Sequence, residues 1–286
     1  MVYARRMRRR EFLAGAMLAI PAVRLARAQT CGPTEGVELG PFFRPHAPER
    51  ASLCDPSETG EPLAVVGRVL AADTCAPLAG ATVDVWHADR RGAYDIDAPG
   101  PSDRPFRLRA MLRSDAGGRY GFDTIEPGPY GQRARHIHYF VHADGYEPLV
   151  TQMYFARDPR LSTDRLVRRS LVTTPAPAEV RGHPGGKVSF DLVLRRRMPN
   201  PPAAVATFAA LEGEYGSPSG PFRLVGRDDR LFARADGIPE LELLFDDVDR
   251  FRVLELGLRG RVVRNHGAVS IDTVDASGAR ERAEKR

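Results

Sequence analysis

Between residues 60 and 195 the chain alternates short apolar blocks with turns rich in Gly, Pro and Asp. Blocks at 63–71, 81–87, 118–125, 135–142, 148–155 and 187–195 carry β-branched and aromatic residues, with Gly117-Gly118 and Asp144-Gly145 among the turn signals between them. No long segment in that range has helical periodicity, so the pattern predicts an all-β fold, an antiparallel β-sandwich. Residues 29–60, which include Gly40-Pro41-Phe42-Phe43-Arg44-Pro45, predict an extended lead-in with little regular structure. The stretch 198–204, Met-Pro-Asn-Pro-Pro-Ala-Ala, reads as a linker. Beyond it, blocks at 222–225, 231–233, 241–245, 251–256, 261–263 and 269–271 predict a second, small β-domain of unassigned role, with a charged tail at 280–286 that frays. The expected division is 1–28 leader, 29–197 sandwich, 198–204 linker and 205–286 small β-domain.

Charge sharpens the reading of the leader. Residues 1–28 hold seven arginines and one acid, so their removal takes the formal charge of the 286-residue chain from +5 to about −1. The remainder has no net cationic field for nucleic acid. Arg9-Arg10-Glu11-Phe12-Leu13 has the twin-arginine arrangement, an apolar run follows to Val23, and Ala26-Arg27-Ala28 offers a cleavage site before Gln29. The run is short for a bilayer span, so the expectation is cleavage, with no stable membrane insertion afterwards, and a destination in the periplasm or outside the cell. Cys31, Cys54 and Cys75 remain after cleavage; one disulfide and one leftover thiol are expected, and all three pairings stay open.

The candidate chemistry lies in 133–141. Ile137, Tyr139, Phe140 and Val141 mark a strand, and side chains two apart on a strand share a face, so His136 and His138 point the same way. Paired imidazoles on one face suit a metal. Tyr94 ends a Gly-containing loop after the 81–87 block, and Tyr130 ends a Gly- and Pro-rich loop six residues before His136. Phenolate is a hard oxygen donor suited to Fe(III), and a trivalent ion offsets the cost of ionising a phenol of ordinary pKa about 10.

Four motifs then occur in order: W-H-A-x-x-x-G-x-Y (86–94), T-I-x-P-G-x-Y (124–130), R-x-x-H-I-H (133–138) and T-Q-x-Y-F (151–155). In this the chain resembles the intradiol ring-cleavage dioxygenases, over about residues 40–195, and most closely their exported, short-loop branch. The resemblance implies that Tyr94, Tyr130, His136 and His138 bind a mononuclear non-haem Fe(III). It implies that Tyr130 also takes a proton from the substrate, that Arg133 stabilises negative charge on the ring, and that Gln152 orients oxygenated intermediates. The implied reaction inserts both atoms of O2 into a catechol-type ring between its hydroxylated carbons, giving a muconate-type diacid.

Two departures bear on substrate range: Arg135 stands where many relatives have Pro before His-Ile-His, and Gly131 where many have Pro after the tyrosine. The helical region through which catechol 1,2-dioxygenases dimerise has no counterpart, which leaves homo-oligomerisation open. Two rival readings stand beside the dioxygenase reading: a non-catalytic exported β-sandwich that keeps the fold for carbohydrate, peptide or partner recognition, and a zinc-dependent hydrolase using the same histidines. His46, His87, His142, His183 and His266 match no ligand position and are expected to be packed or solvent-exposed, and Trp86, Tyr139 and Tyr154 are expected to pack.

Overall fold

The computed structural model describes residues 31–55, 58–96 and 103–286; the expected leader, 1–28, lies outside the described residues. Two five-stranded sheets form the first unit. One contains β1 (Pro62–Ala71), β4 (Arg119–Ile125), β8 (Ala176–Val180), β9 (His183–Ser189) and β10 (Leu192–Leu194). The other runs in the order β3-β2-β5-β6-β7, from β2 (Thr82–Trp86), β3 (Arg109–Arg113), β5 (His136–His142), β6 (Leu149–Phe155) and β7 (Val172–Thr173). Alternate residues of both sheets, among them Val65, Val83, Phe122, Ile137, Tyr139 and Met153, meet in one buried core. Burial of these side chains is the main stabilising term.

Five expected strands appear within a residue or two of their predicted bounds. The sixth, 187–195, is two strands. Phe190 N bonds to Val66 O at 2.9 Å and Asp191 Oδ1 accepts from Arg68 N at 2.9 Å, which interrupts the ladder between β9 and β10. Gly67 lies beneath that break, where a Cβ would stand 2.0 Å from Phe190 O. The sandwich is mainly antiparallel, but β1 pairs in parallel with β9 and β10, and β6 with β7. β3 and β8 were not expected: β3 has arginines at both ends, and β8 contains Pro177.

The lead-in is ordered by the sandwich. Val37 N bonds to Val150 O and Leu53 N to Asp123 O, both at 2.9 Å. Leu39 and Phe43 cover the outer face of β2-β5-β6, where they bury Trp86, Phe140 and Val150. Cys31 pairs with Cys75, fixing the start of the lead-in to the turn after β1, and Cys54 is the free thiol. The partners come from segments 44 residues apart, so only the fold selects among the three pairings.

The second unit is a closed barrel of β11 (Gly213–Gly216), β12 (Phe222–Arg227), β13 (Arg230–Arg234), β14 (Leu241–Phe245), β15 (Arg250–Val253), β16 (Leu258–Asn265), β17 (Ala268–Val274) and β18 (Arg280–Lys285). The tail expected to fray is β18. It pairs with β17 along its length and with β11 through Tyr215 and Gly216, so it closes the barrel and removes both sheet edges. Its Ala283 is buried, and the charged residues that suggested fraying alternate with it. The expected linker is packed. Asn200 bonds to Asp229 O and Phe245 N, and two helical turns, α1 (Pro202–Val205) and α2 (Phe208–Leu211), bury Ala204, Phe208 and Leu211 in the barrel core.

Polar contacts tie the two units together. Buried Glu242 takes Arg197 Nε at 2.8 Å from the sandwich side and Arg230 Nε at 3.0 Å from the barrel. Leu39 N bonds to Glu255 O at 2.9 Å. The Glu255 side chain is buried there with Oε2 lacking a partner among the described residues, and burial pushes its carboxyl up to about 7. A carboxyl whose folded pKa is raised stabilises the fold below its unfolded pKa of about 4.5, and that contribution is lost as pH rises through about 7.

Two expectations follow. Chemical denaturation of Cys31→Ser should show a loss of about 4 kcal/mol, the entropic worth of a loop this long, and reductant should abolish the difference from wild type. Stability measured from pH 5 to pH 8 should fall in the wild type and be flatter in Glu255→Gln; equal slopes would show that Glu255 does not titrate there.

Candidate metal centre

Strand register assembles the site on the covered face of the second sheet. Trp86 of β2, His138 of β5 and Gln152 of β6 lie in one cross-strand row, and His136 lies opposite Tyr154 in the next. Both histidines are buried. Trp86 stacks on His138 with ring centroids 4.6 Å apart and planes 9° apart, which fixes that imidazole.

Tyr94 reaches the strands from a loop held by neighbouring acids. Asp89 Oδ1 accepts from Arg91 N at 2.8 Å and Ala93 N at 2.9 Å, shaping the loop. Asp95 accepts from Arg109 Nε and from Arg44 Nη1, each at 2.8 Å, anchoring the chain just past the tyrosine. Loops 89–93 and 127–131 interlock through the glycines of two motifs. A Cβ at Gly92, whose φ is +84°, would meet Pro129 O at 2.1 Å, and one at Gly128 would meet Arg90 O at 2.2 Å. Only glycine permits that approach.

Three donors converge. His136 Nε2 lies 3.0 Å from His138 Nε2, which lies 3.1 Å from Tyr94 Oη. Donors about 2.1 Å from a shared ion and about 90° apart are themselves separated by about 3.0 Å, so the spacing fits one metal ion. His136 Nδ1 bonds to the Ala134 carbonyl, which leaves Nε2 with its lone pair directed at the cluster. Burial lowers His136 to about 4 and lowers His138 well below the ordinary imidazole range, so both rings are neutral, the ligating form. Burial raises the Tyr94 phenol far above its ordinary value; the positive charges of Arg109 and Arg133 oppose this, and a bound cation would oppose it further. The third group of the cluster is a phenol oxygen, and among the described residues no group of three or more His, Cys, Asp or Glu is placed to hold a metal.

Tyr130 is not in the hydrogen-bonded cluster. Its ring meets Tyr94 edge-on at 5.6 Å and Phe42 edge-on at 5.2 Å, and its hydroxyl bonds to none of the described residues. Phe42 of the lead-in also stacks on Tyr94 at 4.3 Å.

Arg133 and Gln152 adjoin the histidines. Arg133 Nε donates to Asp164 Oδ2 at 2.8 Å, and its Nη2 reaches Tyr154 Oη at 3.1 Å and Gln152 Oε1. Asp164 also accepts from Ala134 N at 2.9 Å, and Gln152 Nε2 lies 3.3 Å from His138 Nδ1. Tyr154, read from sequence as packing, is buried as expected but also orients Gln152 by donating to Oε1. Sequence reasoning missed Asp164, Asp89, Asp95 and Phe42; their partners lie in distant segments and no motif marks them. Arg135, the departure before His-Ile-His, pairs with Asp158 at 3.1 Å and with Glu126. His87 packs as expected, bonded to Ala88 O at 2.7 Å and Thr124 Oγ1 at 2.6 Å.

A family model described as dioxygenase matches residues 39–196, more than half of the chain. The sequence is 34% identical over 197 residues to hydroxyquinol 1,2-dioxygenase of a Rhizobium strain, covering 58% of this chain and 66% of that protein. It is 36% identical over 180 residues to catechol 1,2-dioxygenase 2 of Acinetobacter lwoffii, covering 54% and 64%. Among solved structures, the dioxygenase domain of a dioxygenase carbohydrate-binding protein fusion from Streptomyces sp. SirexAA-E is 38% identical, with a TM-score of 0.51, 58% of this chain covered and 99% of that one. The chain belongs to the intradiol ring-cleavage dioxygenase family. It spans just under two thirds of the length of the two curated relatives, and the family match ends at residue 196, ahead of the barrel.

The interlock of the two loops yields a prediction. Gly92→Ala should weaken metal binding at the Tyr94–His136–His138 cluster at least about tenfold and destabilise the fold by about 1–3 kcal/mol, as expected for a forced clash at positive φ. Gly131→Ala, also at positive φ but with open space around it, should cost less in both; metal titration and thermal melts of the pair would check this.

Proposed function

We propose that this chain is a non-haem Fe(III) intradiol dioxygenase that inserts both atoms of O2 into a catechol-type ring between its hydroxylated carbons, giving a muconate-type diacid. The convergence of Tyr94, His136 and His138 at 3.0–3.1 Å is the observation that carries the proposal. Family membership supports the reaction class, and the relatives' names, catechol, chlorocatechol and hydroxyquinol dioxygenases, support a vicinal diol as substrate.

In this reading Tyr94, His136 and His138 hold the ion, with Tyr130 as the fourth protein donor. A ferric ion at this position would chelate the diol and favour electron donation from its ring toward O2. The chain's own groups do the remainder. Tyr130, outside the buried cluster, serves as the base that takes a hydroxyl proton from the substrate. Arg133 is held by Asp164 and supplies fixed positive charge where the ring becomes electron-rich. Gln152 is held by Arg133 and Tyr154, and its amide orients the oxygen-bearing intermediate. Trp86, Phe42 and the buried lead-in exclude water from the imidazoles.

A zinc hydrolase is less well supported, since a phenol is the third donor rather than His, Cys or carboxylate. A binding module without catalysis gives no reason for two buried, unprotonated imidazoles to meet a phenol. Twin-arginine export completes the proposal, and the Cys31–Cys75 disulfide supports an oxidising destination.

Ferric loading should turn the mature protein red-brown through tyrosinate charge transfer. Turnover of a catechol panel under labelled O2 should place two label atoms in a ring-opened diacid. Tyr94→Phe should weaken the visible band and cut kcat at least about a hundredfold, ~2.7 kcal/mol of transition-state stabilisation. A protein that stays colourless with ferric ion, or a product carrying one label atom, would overturn the assignment.

A further inference from the structure

The barrel carries a second feature that ring cleavage does not use. Strands β15 to β18 pair consecutively, and their registers place outward residues in two cross-strand rows. One row reads Arg252, Arg259, Val274, Arg280; the next reads Arg250, Arg261, Asp272, Arg282. Three of the four strands contribute the pattern Arg-x-Arg, at 250–252, 259–261 and 280–282, with Gly260, buried Phe251 and half-buried Glu281 between. Six arginines and three acids, Asp246, Asp272 and Glu281, line a cleft of about 790 Å³ on this face.

Like charges placed directly opposite each other on paired strands repel. Here Arg250 faces Arg261 and Arg252 faces Arg259. Arg250, Arg252 and Arg282 are partly offset by Asp247, Asp246 and Asp272, at 2.6, 2.9 and 2.6 Å. Arg259, Arg261 and Arg280 are exposed and their guanidinium groups make no hydrogen bond or salt bridge to the described residues, although Arg261 feels the charge of Asp272 opposite it. The near-neutral charge of the chain beyond residue 28 therefore conceals a concentrated cationic face.

Guanidinium forks match planar anions bidentately. The rows are about 7 Å apart along the strands and extend about 14 Å across them, so they suit repeated anions rather than one small ion. The exposed large apolar side chains among the described residues are Met198, Ile238 and Val248, none on these strands, which leaves a membrane nothing to embed. No aromatic ring stands at the outward positions to stack a nucleic-acid base. A carboxylate-bearing polymer without stacked bases or lipid fits the face best. We propose that the arginine rows of the barrel bind an acidic polysaccharide, which would hold the sandwich at a polymer surface.

The full mature chain should bind polygalacturonate and not a neutral β-glucan. That binding should fall at least about tenfold as salt is raised from about 0.02 M to about 0.3 M, because screening shortens the reach of exposed charges. Combined Arg259→Ser, Arg261→Ser and Arg280→Ser should weaken polygalacturonate binding at least about tenfold. The same variant should melt no lower than wild type and leave catechol turnover unchanged, separating this proposal from that for the metal centre. Absence of polygalacturonate binding at low salt, equal binding by the triple variant, or tighter binding to phosphatidylglycerol vesicles or single-stranded DNA would each overturn the proposal.

Discussion

The site depends on the close approach of two loops on a covered sheet face. Loops 89–93 and 127–131 come so near that a single added carbon at Gly92 or Gly128 would strike a backbone carbonyl. Their contact sets where Tyr94 enters, and Tyr94 meets imidazoles whose orientation the strand has already fixed. Two neutral rings and an un-ionised phenol then share one buried volume with no carboxylate among them. Such a cluster is poorly solvated and, without a cation, gains little from its own hydrogen bonds. That arrangement makes chemical sense as a cation's donor set.

Around this neutral centre the charged groups are arranged as supports. Asp95 holds Arg109 and Arg44, Asp164 holds Arg133, and Asp158 holds Arg135. Each acid comes from a loop, while Arg109 sits on a strand and Arg133 and Arg135 just ahead of one, so each pair ties irregular chain to the sheet framework. Buried pairs of this kind are costly to break singly, because the remaining charge is left without compensation. Their value here lies in fixing geometry. Arg133 in particular is held from one side by Asp164 and bonded on another to Tyr154 and Gln152, so its position is determined before any substrate arrives.

The barrel follows a different logic. Its core is apolar and its closure eliminates strand edges, yet its outer surface concentrates arginines on one side and its junction with the sandwich buries Glu242 and Glu255. Glu242 is satisfied by arginines from both units; Glu255 is not fully satisfied and responds with a raised pKa. Ion pairs and a backbone hydrogen bond therefore help join the units, as is common where domains of one chain meet.

Much of the sandwich was legible in sequence because strand periodicity is local: five blocks became strands near their predicted limits, and the same-face relation of His136 and His138 follows from a spacing of two. Three of the four residues singled out from the motifs, Tyr94, His136 and His138, meet in the structure, whereas Tyr130 makes only ring contacts beside them. The misses share a cause. Residues 280–285 look too charged to fold, and only pairing with β17 and β11 orders them. Residues 198–204 look like a linker until Asn200 and Ala204 find partners in the barrel. β3 is short and arginine-flanked, and Asp95 is what makes burying Arg109 tolerable. By itself the sequence determined which residues could alternate across a sheet and which could donate to a metal, because backbone period and side-chain chemistry travel with each residue. Only the tertiary structure decided that Cys31 meets Cys75, that Tyr94 rather than Tyr130 touches the imidazoles, and that Asp164 steadies Arg133. Those outcomes depend on distances between segments far apart in the chain, which exist only once the sheets have packed.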